Sequence, residues 1–133
     1  MKVFFDSNIP MYVAGGEHPN RTPALRLLER AQAGEIEAFT STEVLQEVLY
    51  RYTALRRRDL AFEVYDRMTE ICPVILPVTL ADTDHAKRLL QQIPTLGVRD
   101  AIHAAVMLQR DIETIASFDT GFDVVPGIRR LSS

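Results

Sequence analysis

Cysteine is almost missing from this sequence: Cys72 stands alone among 133 residues, which excludes an intrachain disulfide and a cysteine-rich zinc site. The histidines, His18, His85 and His103, lie far apart and show no zinc-ligand spacing. Long hydrophobic runs are missing too. Nothing approaches the roughly 18 consecutive apolar residues of a membrane span, and MKVFFDSNIP reaches an acid too early for a signal peptide. A soluble cytoplasmic protein in a reducing compartment is the expectation. Positive charge is also short, with 15 Lys and Arg against 18 Asp and Glu and a formal charge of -3. Proteins that hold nucleic acid by phosphate neutralisation alone tend to be basic. A polyanionic partner would therefore need bound cations, or basic residues gathered on one face.

What is present is a globular pattern. Hydrophobic residues make up 47% of the chain, enough for one core, and the absence of linkers, repeats and low-complexity tracts predicts a single domain over 1–133. Val3-Phe4-Phe5 reads as a strand ending at Asp6-Ser7-Asn8, a cluster of helix-starting residues with Pro10 in the first turn. Pro23 to Ala33 has helical spacing and a glycine stop at Gly34. Ile36 to Phe39 reads as a strand, followed by a helix with Val44, Leu45, Val48, Leu49, Tyr52 and Leu55 on one face. Ala61 to Ile71 predicts a further helix, Val74-Ile75-Leu76 a short strand, and Thr79 onward another helix. AIHAAVML, residues 101–108, is apolar nearly all round and predicts a buried helix; Thr114-Ile115-Ala116 and Ile128–Leu131 complete the strands. Strands alternating with helices imply a parallel α/β sheet covered on both faces.

In such sheets ligands bind beyond the carboxyl ends of the strands. Asp6, Glu47, Asp100 and Asp119 all fall at that address: after the first strand, in the second turn of the helix that follows the second, at the start of the buried helix, and after TIAS. Each has an ordinary explanation. Asp6 and Asp100 suit helix caps, Asp119 suits a turn in SFDTGFD, and Glu47 suits a solvated face. Glu43 lies three residues after Thr40 and fits a capping box, which makes Glu47 the better catalytic candidate.

Together these segments resemble the PIN-domain pattern from end to end. VFFDSN resembles its opening strand and acid, FTSTEVLQEVL its Ser-to-Glu spacing, and VRDAIHAA and SFDTGFDVVPGI its two closing motifs. The nearest likeness is to VapC-type toxins. The resemblance implies a three-layer α/β/α sandwich with a central parallel sheet, a homodimer, a cognate antitoxin, and a pocket that cleaves RNA with Mg²⁺ or Mn²⁺. It implies catalytic roles for Asp6, Glu47, Asp100 and Asp119, metal binding by Asp6, Asp100 and Asp119, and products with a 5′-phosphate and a 3′-hydroxyl. Many relatives carry a further polar or acidic residue where this chain has Gly121. One tight ion and one weak ion are therefore expected, and an acid placed at Gly121 is expected to strengthen the weaker position if the turn tolerates a side chain there.

This chemistry suits the residues, because crowded carboxylates repel one another unless a hard cation compensates, and Mg²⁺ prefers oxygen donors. Ser7, Asn8 and Ser117 stand beside the acids and are candidates for orienting them, with helix caps as the competing role. Arg99 is a candidate for a substrate phosphate. His103, one turn beyond Asp100, reads as a packing residue, and Arg56-Arg57-Arg58 as a solvated helix junction. Haloacid-dehalogenase-like phosphatases start with D-x-D, but here the third position is Asn8; a receiver-type switch wants neighbouring acids before the strand-end aspartate and a later lysine, and Lys87 is the only lysine beyond Lys2. The remaining alternative is a non-catalytic PIN-like domain that binds RNA or protein.

Overall fold

A computed structural model describes residues 1–133. Its strands are β1 (Lys2–Phe5), β2 (Glu37–Ser41), β3 (Val74–Leu76), β4 (Thr114–Ala116) and β5 (Arg129–Leu131). All neighbouring pairs are parallel, in the order β3-β2-β1-β4-β5. In the central strand, Phe4 is in register with Phe39 of β2 and Ile115 of β4. Val3, Phe4 and Phe5 are all fully buried, so both faces of β1 are covered. That is the condition under which a strand reads as a continuous apolar run rather than an alternation.

The helices are α1 (Asn8–Ala14), α2 (Arg21–Gln32), α3 (Thr42–Ala54), α4 (Arg58–Ile71), α5 (Leu80–Gln92) and α6 (Val98–Leu108), with a short 3₁₀ turn over Thr120–Val124. The arrangement is a three-layer α/β/α sandwich. Helices α1 to α4 pack on one another, and α5 packs on α6. The strand order reverses at β1, with earlier strands to one side and later strands to the other. A crevice opens at such a switch point, between the carboxyl ends of β1 and β4.

Local chemistry explains several element ends. Gly34 follows α2 with φ +81, the left-handed conformation that closes a helix with little strain in glycine. The capping box expected at Thr40 and Glu43 is not formed. Strand β2 runs on through Ser41, whose side chain accepts from the Val44 amide, while Thr40 Oγ1 donates to the Phe5 carbonyl across the sheet. A complete capping box occurs instead on α5, between Thr79 and Asp82.

Asp82 also ties the turn that follows α6 to the start of α5. Its side chain is buried and accepts two bonds from Arg110, at 2.8 and 3.1 Å, while Arg110 donates further to the Pro77 and Val106 carbonyls. Replacing Arg110 by Ala would leave a buried carboxylate with only its cap partners. We expect a loss of about 2–3 kcal/mol, against about 1 kcal/mol for Thr79→Ala, both read from urea unfolding at neutral pH.

Candidate active site

The crevice holds a polar pocket of about 250 Å³, lined by Asp6, Ser7, Asn8, Glu47, Arg51, Gly97, Val98, Arg99, Asp100, His103 and Asp119. Val98 is the one hydrophobic residue among them. The four acids singled out from the sequence come together here, as do Ser7, Asn8 and Arg99. Ser117 lies directly behind the wall, bonded to both Asp6 and Asn8.

Asp6 is the first residue past β1, and its amide continues the ladder to the Ala116 carbonyl at 3.0 Å. Its buried carboxylate accepts from the Ser7 amide at 2.8 Å and from the Ser117 hydroxyl at 2.7 Å. The same Ser117 oxygen accepts from Asn8 Nδ2 and from the Asp119 amide. Ser117 therefore binds the ends of β1 and β4 to the loop that carries Asp119. Burial raises the Asp6 pKa, with His103 and Ser117 opposing it in part.

Glu47 lies opposite, on α3, with its side chain 3% exposed. A solvated role is thereby excluded. Its Oε2 accepts from Ser7 Oγ at 2.8 Å and meets Arg51 at 3.2 Å and Arg99 at 3.7 Å; its Oε1 lies 3.3 Å from His103 Nε2. Burial alone would raise its pKa, but bonds from His103 and Ser7 and the charge of Arg51 hold it below the ordinary glutamate value. His103 packs against the Phe4 and Phe122 rings, so the packing role is real, yet its Nε2 also points between Glu47 and Asp6, 3.9 Å from Asp6 Oδ1. Burial works against the imidazolium. Glu47, Asp6 and Asp100 outweigh it, and the His103 pKa is raised.

Asp100, in the first turn of α6, has its pKa pushed up to about 6 by burial, then by the negative charges of Asp119 and Asp6. Asp119 is exposed, and its Oδ1 accepts from the Gly121 amide at 2.8 Å. The glycine matters sterically. A Cβ at position 121 would stand 2.5 Å from Asp100 Oδ2 and 3.0 Å from Asp119 Oδ1. A side chain there requires those two carboxylate ends to shift.

Charge is thus unevenly shared. Glu47 collects Ser7, His103 and two guanidiniums, whereas Asp6 and Asp100 are left with raised pKa values. A divalent cation fits that deficit, since the donors are hard oxygens and like charges otherwise hold protons. Asn8 Oδ1, buried and without a hydrogen-bond partner, adds a neutral oxygen on the same wall. Ligand atoms of Asp6, Glu47 and His103 also lie within 4.8 Å of one another, a spacing compatible with a shared ion. His103 and Arg51 do not stand out as site residues in the sequence. The available signal is helical phase: Arg51 is one turn beyond Glu47, and His103 one turn beyond Asp100.

Comparison with known proteins agrees with this geometry. The PIN domain family model matches residues 3–128. Ribonuclease VapC13 of Mycobacterium tuberculosis is 44% identical over 130 residues, covering 98% of this chain and 99% of that protein. Ribonuclease VapC23 of the same species is 37% identical over 120 residues, covering 88% and 92%. Among solved structures, M. tuberculosis VapC20, described as a sarcin-ricin loop cleaving toxin, superposes with a TM-score of 0.75 at 20% identity, covering 91% of this chain and 92% of that one. The VapBC2 complex of Rickettsia felis bound to promoter DNA gives 0.74 at 17%, covering 98% of each chain. At those identities the superpositions speak for the fold alone. The family match over nearly the whole chain and the identity to curated relatives carry the assignment: this chain belongs to the PIN-domain family, among the VapC ribonucleases.

Proposed function

We propose that the chain is a divalent-metal-dependent endoribonuclease and the toxin of a VapBC-type toxin–antitoxin pair. The observation that carries this reading is the gathering of Asp6, Glu47, Asp100 and Asp119 from four separate segments into one polar pocket at the sheet's switch point. Relatives named as ribonucleases support it.

In this reading Asp6, Asp100 and Asp119 hold Mg²⁺ or Mn²⁺, with Asn8 beside them. His103 is the weaker ligand, because Nε2 is engaged with Glu47 and hard cations prefer oxygen. When bound, the ion supplies a water of lowered pKa and charge stabilisation at the phosphorus. Asp6 is held in one orientation by Ser7 and Ser117 before any ligand arrives, so little ordering remains to be done. Asp100 must give up its proton to bind a cation. Glu47 stays ionised and keeps His103, Arg51 and Arg99 drawn to one wall. The chain is further proposed to act as a homodimer silenced by a partner antitoxin. Solved complexes of fold relatives with their partners support this, as does the exposed apolar surface of Leu49, Tyr50, Leu55 and Phe62.

The direct test is RNA cleavage with Mg²⁺, Mn²⁺ or EDTA. Activity with either ion and none in EDTA is expected; RNA left intact under all three conditions would favour a binding module. Asp6→Asn and Asp100→Asn should abolish cleavage, and Glu47→Gln should reduce it about 10–100-fold by loosening the groups it positions, while circular dichroism stays like the parent's.

A pH dependence follows from Asp100. Its folded pKa, about 6, lies above the ordinary 3.8, so its contribution to stability is present below the ordinary value and is lost as pH rises through about 6. Metal-free protein should therefore melt lower at neutral pH than near pH 5 on this group's account, and Asp100→Asn should flatten that slope. Mn²⁺ affinity by calorimetry should run the opposite way and weaken as pH falls through about 6. Gly121→Ala should weaken Mn²⁺ binding at fixed pH, since the added methyl displaces Asp100.

A further inference from the structure

Two guanidiniums stand at the pocket with most of their bonding capacity unused. Arg51 comes from α3, one turn beyond Glu47, and Arg99 from the first turn of α6. Both reach the same oxygen, Glu47 Oε2, at 3.2 and 3.7 Å, and neither has another ion-pair or hydrogen-bond partner for its side chain. Their side chains are 45% and 43% exposed, whereas Glu47 is buried at 3%. A guanidinium carries five N–H donors, so each arginine has several left facing the opening.

The charge count points the same way. Glu47 is one negative charge, already bonded by Ser7 at 2.8 Å and faced by His103 Nε2 at 3.3 Å. Two further cations exceed what it needs. An ion pair made only to hold Glu47 in place would require one arginine, and a half-exposed pair stabilises little. The pocket is therefore divided: Asp6, Asp100 and Asp119 make an acidic side, and Arg51 with Arg99 a basic lip, with Glu47 between them. Such a division suits a group that is anionic yet must sit beside cations held by carboxylates.

We infer that Arg51 and Arg99 form a two-pronged clamp for a backbone phosphate of the substrate strand, using the donor faces turned away from Glu47. The inference rests on the nuclease reading above and adds Arg51 as a residue that binds substrate. Glu47 then has a second task, that of holding both prongs at one point so that they bind without further ordering. It also explains how a chain of net charge -3 meets a polyanion: the basic residues are few, but two converge on the site.

The test is binding of a short fluorescein-labelled single-stranded RNA, followed by anisotropy across a salt series in EDTA, where cleavage does not interfere. Removing one phosphate-neutralising side chain should lower the slope of log Kd against log salt by about 0.7. Arg51→Ala and Arg99→Ala should each show that decrease, and Arg51→Lys should keep the slope while binding more weakly, because charge survives and the planar fork does not. In Mn²⁺ the cleavage defect of Arg51→Ala should fall more on KM than on kcat. An unchanged salt slope in Arg51→Ala, with a defect confined to kcat, would overturn the clamp and leave Arg51 as a positioning residue for Glu47. That outcome is distinct from failure of the nuclease reading, in which the parent protein itself leaves RNA intact with every divalent ion.

Discussion

Like charges confined at the end of a parallel sheet set the terms for the rest of this molecule. Asp6 cannot leave the site, because it is the residue at which β1 stops and its amide still belongs to the sheet ladder. Its buried carboxylate needs donors, and the nearest are the Ser7 amide and the Ser117 hydroxyl from the end of β4. Ser117 in turn orders Asn8 and Asp119. One solvation requirement thus orders two stretches of chain, residues 6–8 and 117–119, and the strand order that brings β1 beside β4 makes it possible.

The two sides of the pocket solve the repulsion differently. Glu47 is held below the ordinary glutamate value despite its burial, by bonds from His103 and Ser7 and by the charge of Arg51. Asp100 has no such partner and keeps its proton up to about 6. Both residues are acids in one cavity, and the difference lies in what stands within hydrogen-bonding reach. The distances make the same point for His103, which sits closer to Glu47 than to Asp6, 3.3 against 3.9 Å; the Glu47 pKa is lowered and the Asp6 pKa raised. An acidic side short of positive charge beside a basic lip with charge to spare is an arrangement suited to phosphodiester chemistry.

The scaffold keeps this constellation in place with ordinary means. Both faces of the sheet are covered, and the Asp82–Arg110 pair fixes α5 against the helix that carries Asp100 and His103. Gly121 contributes by what it lacks, since any side chain there would press on Asp100 and Asp119.

Periodicity and caps are local properties, and they were legible in the sequence. The five strands, the buried helix after Asp100, the glycine stop at Gly34 and the placement of Asp6 and Asp119 beyond strand ends all follow from neighbours a few residues apart. The family motifs likewise marked the four acids. One local misreading, a cap at Thr40, arose because β2 runs on to Ser41, an extension set by its pairing with β3; another put Leu49 and Leu55 on the packed face of α3, whereas both are exposed and Leu55 lies past its end. Only the tertiary structure decided that Glu47 is buried, that His103 faces it across 56 residues of chain, that Ser117 reaches Asp6 across 111, and that Arg51 and Arg99 meet on one oxygen. Those contacts depend on which strand lies beside which and on how far each helix turns before it packs, and no window of neighbouring residues contains that information.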